Sequence, residues 1–495
     1  MKIRSSKPIP ESFRSGAGRF PGPNPQHLAR LAILCSLLLA GVSPGFASPA
    51  AESKSPSPEP AFAVGEGGAE DSEAPDLPRE RIRWFSSDRV GPDGKPVPGA
   101  RLRALAQIDD NIRKGLLEPA PLAIPGTTWA QLGPNPIGVA NHYAGRISAI
   151  AVDPTNANVV YAGGASGGVW KTTDAGLTWK PLTDFQASLA TGSLAIAPSA
   201  PQTIFVGTGE ANESCDSYFG AGILKSTDSG ATWTQLAAAT FANQSIAKIV
   251  IHPTNPLMVW AASTTGAAGF ACGGVGATTG VYKSIDGGST WIRNSTGAAM
   301  DLVIDPTNPI NLYAAFDVGG AASPVRKSTD SGDTWTTLAG GLPVTDVGRS
   351  DLAIHPTTAG LVYVSVETNS TSQHKGIWKS IDAGATWTAL ASIPPSLCSS
   401  QCWYDQYVDF APNGDLYAAG FGLYRSTDLG GGWTSLAIGH VDHHVISFAK
   451  TNGDAWEGND GGIYRSTNGG ASWVDKNTGL VAAQSYPGGA VHPSR

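Results

Sequence analysis

From about residue 146 onward, apolar positions come in short runs separated by Gly, Asn, Asp, Ser, Thr and Pro. Arg146-Ile-Ser-Ala-Ile-Ala-Val152 reads as a first strand, and Asp153-Pro-Thr-Asn as the turn that ends it. Val159-Val-Tyr-Ala-Gly163, Gly168-Val-Trp-Lys171 and Thr178-Trp-Lys-Pro-Leu182 follow as second, third and fourth strands. β-Branched and aromatic residues bounded by turn formers are a strand signal. The same grammar returns at residues 249–253, 302–306, 352–356 and 408–412. Four-stranded units in series predict an all-β chain, and seven such units predict a seven-bladed β-propeller.

Between the third and fourth strands lies a recurring stretch, shown best by Lys283-Ser-Ile-Asp-Gly-Gly-Ser-Thr-Trp291. Its aspartate recurs at Asp174, Asp228, Asp286, Asp330, Asp382 and Asp428, with Asn468 in a seventh copy. A tryptophan stands five residues on in each: Trp179, Trp233, Trp291, Trp335, Trp387, Trp433 and Trp473. The spacing runs from 40 residues (428 to 468) to 58 (228 to 286), the period of a repeat architecture. The residue types predict a hairpin turn. The aspartate accepts from backbone N–H groups just ahead, the glycine two residues on takes positive φ, and the tryptophan ring packs on a neighbour. Asn468 can accept the same bonds without charge. These aspartates are therefore expected to be structural.

The motif resembles the Asp-box, or bacterial neuraminidase repeat, of sialidases, two-domain xyloglucanases, sortilin and photosystem-assembly propellers. The resemblance covers residues 129–495 and implies a propeller with the box between third and fourth strands. It does not by itself imply an activity, because one fold hosts many. Sialidases place three arginines and a tyrosine–glutamate pair at the channel, with arginine in a Phe/Tyr-Arg-Ile-Pro motif. Here Arg146 stands in Gly-Arg-Ile-Ser, and Arg349 is the other arginine on that face. Xyloglucanases read Tyr-x-Arg-Thr-Asp-x-Gly-Gly in the first blade, where this chain has Tyr161-Ala-Gly-Gly-Ala-Ser-Gly-Gly168. The resemblance sets Ala165 at their catalytic base. Their acid comes from a second propeller.

Ahead of the repeats the character changes. Residues 1–47 read as a long secretory signal: a basic stretch carrying Lys2, Arg4, Lys7, Arg14, Arg19 and Arg30, an apolar core from Leu31 to Val42, and Gly45-Phe-Ala47 as a cleavage site. The apolar core is too short for a good membrane span. Residues 48–80, rich in Pro, Ser, Ala, Gly and Glu with a net charge of −6, read as a disordered linker. Residues 81–128 form an N-terminal extension with one helix at 98–115. There Leu102, Leu105, Ile108 (or Asp109) and Ile112 share a face, Gly115 is the stop, and the helix is expected to pack on the outside of the propeller. Thr128-Trp-Ala-Gln-Leu132 reads as a fourth strand without a blade before it. Ser485-Tyr-Pro-Gly-Gly-Ala-Val-His-Pro493 reads as a first strand without a blade after it, so the C-terminal end reads as truncated or short of a partner segment. The net charge of −7 over 495 residues argues against a nucleic-acid surface. No cofactor motif is present.

Export with four cysteines left after the signal favours disulfides. Cys398 and Cys402 are close enough to pair within one loop. Cys215 and Cys272 fall in equivalent loops of adjacent blades and are expected to pair. Antiparallel strands put the inner-strand starts and second-to-third loops on one face, and the aspartate turns on the other. The first face collects Arg146, Glu210, Asp216, Asp317, Arg349, Asp351, Glu367, Asp405, Tyr407, Asp442, His443, His444 and Asp460. Glu210, in Gly207-Thr-Gly-Glu-Ala-Asn212, and Asp442 are the candidate catalytic carboxylates; Arg146, Asp405, Tyr407, His444 and Asp460 are candidate ligand-binding residues. Crowded acids repel, so at least one is expected to titrate high. His440, Asp442 and His444 would share one side of a strand and so could ligate a metal, although the preferred reading has no metal. Two functions follow: a secreted binding or scaffold module for a glycan or extracellular protein, or a glycoside hydrolase with paired carboxylates at the channel mouth.

Overall fold

In the computed structural model, residues 100–117, 142–213, 217–265, 278–320 and 322–482 are described. All of them belong to the unit Glu73–Arg495. The predicted signal, linker, 128–132 strand, 485–493 strand, Asp216, Cys215 and Cys272 lie outside the described residues.

Seven four-stranded antiparallel sheets follow one another along the chain, each built from a contiguous segment. The first blade comprises Ile147–Asp153, Asn156–Gly164, Gly168–Thr172 and Lys180–Pro181. Its order from centre to rim is the order in sequence. The inner strands of the other blades are Thr191–Ile196, Ser245–Ile251, Ala298–Ile304, Val347–Ile354, Tyr407–Phe410 and His443–Phe448. Each inner strand contacts the next, and the last contacts the first, so the ring closes. At the seam the Ala144 N–H donates to Gly461 O (2.8 Å), the Ala482 N–H to Ala144 O (2.9 Å), and Asn477 Nδ2 to His142 O (2.7 Å).

The core lies between blades. Ile223 and Phe205 of the second blade pack with Ile246, Ile249, Val259 and Tyr282 of the third. Ile147, Ile150 and Val160 of the first pack with Trp456 and Ile463 of the seventh. Burying each sheet on both faces explains why the second strands are nearly continuous apolar runs, as in Ile204–Gly209 and Val259–Thr264.

The recurring turn does two jobs. Within the turn, Asp286 Oδ1 accepts from the Ser289 and Thr290 N–H groups (3.0 and 2.9 Å), and Oδ2 from Thr290 Oγ1 (2.6 Å). Ser284 Oγ donates to Asp286 Oδ1 (2.8 Å) and accepts from the Gly288 N–H (2.8 Å). Two successive residues take positive φ, Gly287 (71°) and Gly288 (90°). In the second copy the first of these is Ser229 at 60°, a cost the surrounding bonds offset. Across blades, the carbonyl of that same residue is an anchor. Tyr161 Oη and Lys171 Nζ of the first blade donate to Ser229 O of the second (3.1 and 3.0 Å). Tyr313 Oη and Lys327 Nζ donate likewise to Ala383 O (3.0 and 2.7 Å). Asn468 keeps the turn, its Oδ1 accepting from Ser466 Oγ and from the Ser472 N–H.

The helix spans Ala100–Arg113, within the range expected from the sequence. Gly115 ends it at φ 65°, its N–H on Ile112 O, with the Leu116 N–H on Asn111 O. On its apolar face Leu102, Leu105 and Ile112 are half-buried, while Ile108 is 46% exposed. Polar bonds add to this, Arg101 Nε donating to Gln186 O at 3.1 Å in the first-to-second blade connection.

Candidate active site at the channel mouth

Inner strands of a propeller line its central channel, and here a bulge in most of them decides what faces the lumen. Pairing slips at Ser148, Gly192, Met300 and His444, so one extra residue is pushed inward at each point. These residues line a central cavity of about 250 Å³, together with Lys248, Asp301, Arg349, Asp351, Tyr407 and Asp409.

Deep in the channel the carboxylates are inter-blade fasteners. Asp301 Oδ2 accepts from the Leu352 N–H of the next inner strand (3.1 Å), and Asp351 Oδ1 from the Val408 N–H of the one after (2.9 Å). Ser193 Oγ serves Ile249 N–H in the same way (2.9 Å). Lys248 Nζ sits 3.1 Å from Asp301 Oδ1. Burial works against its charge, but Asp301, Asp351 and Asp409 outweigh it and raise the amine.

At the mouth the structure assembles a different group. Arg146 immediately precedes the first inner strand; its Nη1 lies 3.0 Å from Glu210 Oε1 and donates to Tyr404 Oη (2.8 Å). Tyr404 Oη donates in turn to Asp460, 2.9 Å from each carboxylate oxygen. His444 Nε2 meets Asp460 Oδ1 at 2.7 Å, and its Nδ1 meets Asn212 Nδ2 at 3.2 Å. Gln401 Nε2 donates to Asp442 Oδ1 (2.6 Å) and to Asp405 Oδ2 (2.8 Å). Asp442 and Asp460 are neighbours, the Asp460 N–H donating to Asp442 O at 3.3 Å.

Burial sorts these acids. Glu210 is fully enclosed and holds Arg146, Ser217 Oγ (2.9 Å) and Asn212 Nδ2 (3.5 Å). Asp405 is likewise enclosed, and Tyr407 is buried with its hydroxyl sealed from solvent. Asp460, 31% exposed, and half-buried Asp442 reach the open side. Burial alone would raise Asp460. The hydrogen bond and charge of His444, with Arg146 and Tyr404, hold it down to about 2. Burial and then the Asp460 charge push Asp442 up, with Gln401 opposing. Burial lifts Asp405 to about 9. A second acidic group lies around Arg349, where burial lifts Glu213 and Glu367 to about 7 each.

The reading of His440, Asp442 and His444 as one side of a strand is corrected. The strand begins at His443, Asp442 sits at φ 61°, and His444 is a bulge residue. His440 instead packs edge-on against Tyr143, and His443 bonds Glu457 within its own blade. Among the described residues, no group of three or more His, Cys, Asp or Glu is arranged to hold a metal ion. Cys398 and Cys402 are bonded, closing the loop that carries Gln401, Trp403 and Tyr404 into the mouth. Sequence reasoning overlooked Gln401, Tyr404, Asn212 and Ser217. The available signal was Gln401-Cys-Trp-Tyr404, an aromatic pair beside a disulfide in the longest fourth-to-first-strand connection.

Fold and site together define a seven-bladed propeller with an acidic, aromatic channel mouth. No family model matches the chain. It is similar to a xyloglucanase from Paenibacillus sp, 26% identical over 342 residues, covering 59% of this chain and 31% of that protein. A xyloglucanase from Hypocrea jecorina (strain QM6a) is 27% identical over 248 residues, covering 48% of this chain and 25% of that protein. The chain thus spans about a third or less of the length of these curated relatives. Among solved structures, an ancestral GH74 enzyme superposes with a TM-score of 0.52 at 20% identity, covering 68% of this chain and 47% of that one. The GH74 xyloglucanase from Xanthomonas campestris gives 0.51 at 18%, covering 69% and 55%. At this identity the structural likeness establishes the propeller fold. Among the described residues no helix is long and apolar enough to cross a membrane.

Proposed function

We propose that this chain is an exported Asp-box propeller that cleaves a polysaccharide at its channel mouth. Asp442 acts as the proton-holding acid and Asp460 as the ionised partner. One observation carries the reading: two solvent-reaching carboxyls on backbone segments joined by a hydrogen bond, whose surroundings push their proton affinities in opposite directions. A glycosidic bond needs a proton delivered to the leaving oxygen and a negative charge near the developing oxocarbenium. Environments that split two carboxyls supply that division. Glu210, shut away from solvent, acts through Arg146, whose guanidinium holds Tyr404 beside Asp460. Trp403 and Phe421, both partly open, offer faces for sugar rings. The curated relatives make xyloglucan the first substrate to test.

A non-catalytic glycan- or protein-binding module is the second reading. Ala165, aligned by resemblance with the xyloglucanase base, is a buried apolar residue and brings no carboxylate to that position. The test is a glycan array followed by reducing-end release on every hit. Under the first reading Asp442→Asn binds the hit but releases sugar about 10²-fold or more slowly. Binding by the parent with no release on any hit supports the second.

A further inference from the structure

Gln401 and Asp405 have no part in the chemistry above, yet both are built into it. Gln401 spends both amide hydrogens on carboxyls, one on Asp442 Oδ1 and one on Asp405 Oδ2. Its own loop is pinned by the Cys398–Cys402 bond and by Arg349 Nη1, which donates to Trp403 O (3.1 Å) and Tyr404 O (2.9 Å). Asp405 is wholly enclosed, and its Oδ1 is buried with no hydrogen-bond partner. An ionised carboxylate in that position leaves a charged oxygen desolvated and without a donor, which is a severe penalty; a neutral acid avoids most of it. The main chain at Asp405 is close-packed, because a Cβ placed on Gly420 would meet Asp405 O and Cys398 Cβ at 2.7 Å and Leu397 O at 2.8 Å.

We propose that Asp405 is held as a neutral acid, and that Gln401, clamped between it and Asp442, is the positioning residue that orients Asp442 and sets how tightly it holds its proton. The catalytic consequence rests on the hydrolytic reading; the protonation states do not. Asp442 is faced by Asp460, His444, His440 and Gln401, and Asp405 by Gln401, Asp442, Arg349 and Asp460. Among these, Gln401 is the donor that favours ionised Asp442. Taking it away leaves burial and the Asp460 charge opposed only by His444 and His440. The burial-driven rise of Asp405 to about 9 agrees with a proton retained at neutral pH.

The experiment is carbon NMR of the full chain labelled at the aspartate carboxyl carbon, with signals assigned by difference against Asp405→Asn and Asp442→Asn. The Asp405 carbon is expected at the protonated-acid position through pH 7. In Gln401→Met the Asp442 midpoint is expected to rise by about half a pH unit or more. The Asp460 midpoint should stay in place as the check that the mouth is intact. Asp405 titrating near 4, or an Asp442 midpoint unmoved in a folded Gln401→Met, overturns the proposal. If Gln401→Met does not fold, Asp405→Asn decides. An amide resembles the neutral acid, so its melting temperature at pH 7 should equal or exceed the parent's; a drop of several degrees overturns the claim. Absence of sugar release from the parent would remove the hydrolytic reading and leave these titrations standing.

Discussion

Asp286 illustrates how much one turn residue carries. It accepts two backbone N–H groups and two hydroxyls within a nine-residue stretch. Asp286→Ala removes those acceptors at an exposed position, and the expected cost is about 1 kcal/mol, read by thermal unfolding. Binding or turnover at the mouth, on the opposite face, should not change. The acid limit of stability follows from the same bonds. The Thr290 hydroxyl, then its N–H, hold Asp286 at about 2, below the ordinary 3.8. A lowered carboxylate stabilises the fold above its unfolded value, and that contribution disappears as pH falls from about 4 towards about 2. Asp174, Asp228, Asp330 and Asp382 share the arrangement, and Asp428, facing Gly432 in place of the threonine, is lowered chiefly by the Gly432 N–H; the fold should therefore weaken cooperatively in that window, measured by melting temperature against pH. Asp405 has the opposite sign. Raised to about 9, it favours folding below about 4 and that benefit is lost as pH climbs towards 9. Turnover, if the hydrolytic reading holds, should decline as pH rises through the raised Asp442 value, and Asp442→Asn should abolish that limb.

At the scale of elements, the decisive piece is the disulfide-closed loop between Thr388–Ala389 and Tyr407–Phe410. It is irregular, yet it delivers Gln401, Trp403, Tyr404 and Asp405 to one place. Cys398 and Cys402 are both buried, so the bond is a fixed staple. Cys398→Ser with Cys402→Ser should leave the β-sheet circular dichroism intact and weaken ligand binding at the mouth by about tenfold or more, because loop order would then have to be gained on binding. Unchanged affinity in the double variant would mean that Arg349 and the loop's backbone bonds to Ser372 and Gly422 hold it without the disulfide. The inner-strand fasteners make a parallel case. Asp301→Ala leaves the Leu352 N–H buried without its acceptor and Lys248 without its nearest counter-charge. We expect a loss of about 2–4 kcal/mol in denaturant unfolding.

For the molecule as a whole, stability resides in seven interfaces between neighbouring blades, and the ring has one seam. Asn477, fully buried, bridges that seam by accepting from the Ile463 N–H (2.8 Å) and donating to His142 O. Asn477→Ala breaks both bonds at the point where first and seventh blades meet. The expected result is a loss of about 2 kcal/mol with unfolding still a single transition, because a ring opened at its seam exposes apolar faces on both sides. A separate low-temperature step would show instead that blades unfold independently.

Much of this architecture was legible along the chain. Short strands, the repeated aspartate turn and its tryptophan depend on neighbours within about ten residues, so local residue types determine them. Asn468 could be read as a turn residue for the same reason. The split into two faces followed from antiparallel order alone, and it placed Arg146, Asp442, His444 and Asp460 together at one mouth. What the sequence could not determine was which acids would be open and which enclosed. Asp405 and Glu210 look like Asp442 and Asp460 on paper. Only the tertiary setting removes them from water, Asp405 beneath the Gln401 loop and Glu210 against Arg146 and Ser217. The bulge at His444 is likewise a tertiary outcome, since one extra residue in a strand overrides the alternation that local pattern predicts. Gln401 and Tyr404 gain their importance from partners 41 and 56 residues away, contacts that no periodicity encodes and that only the closed ring brings within hydrogen-bond distance.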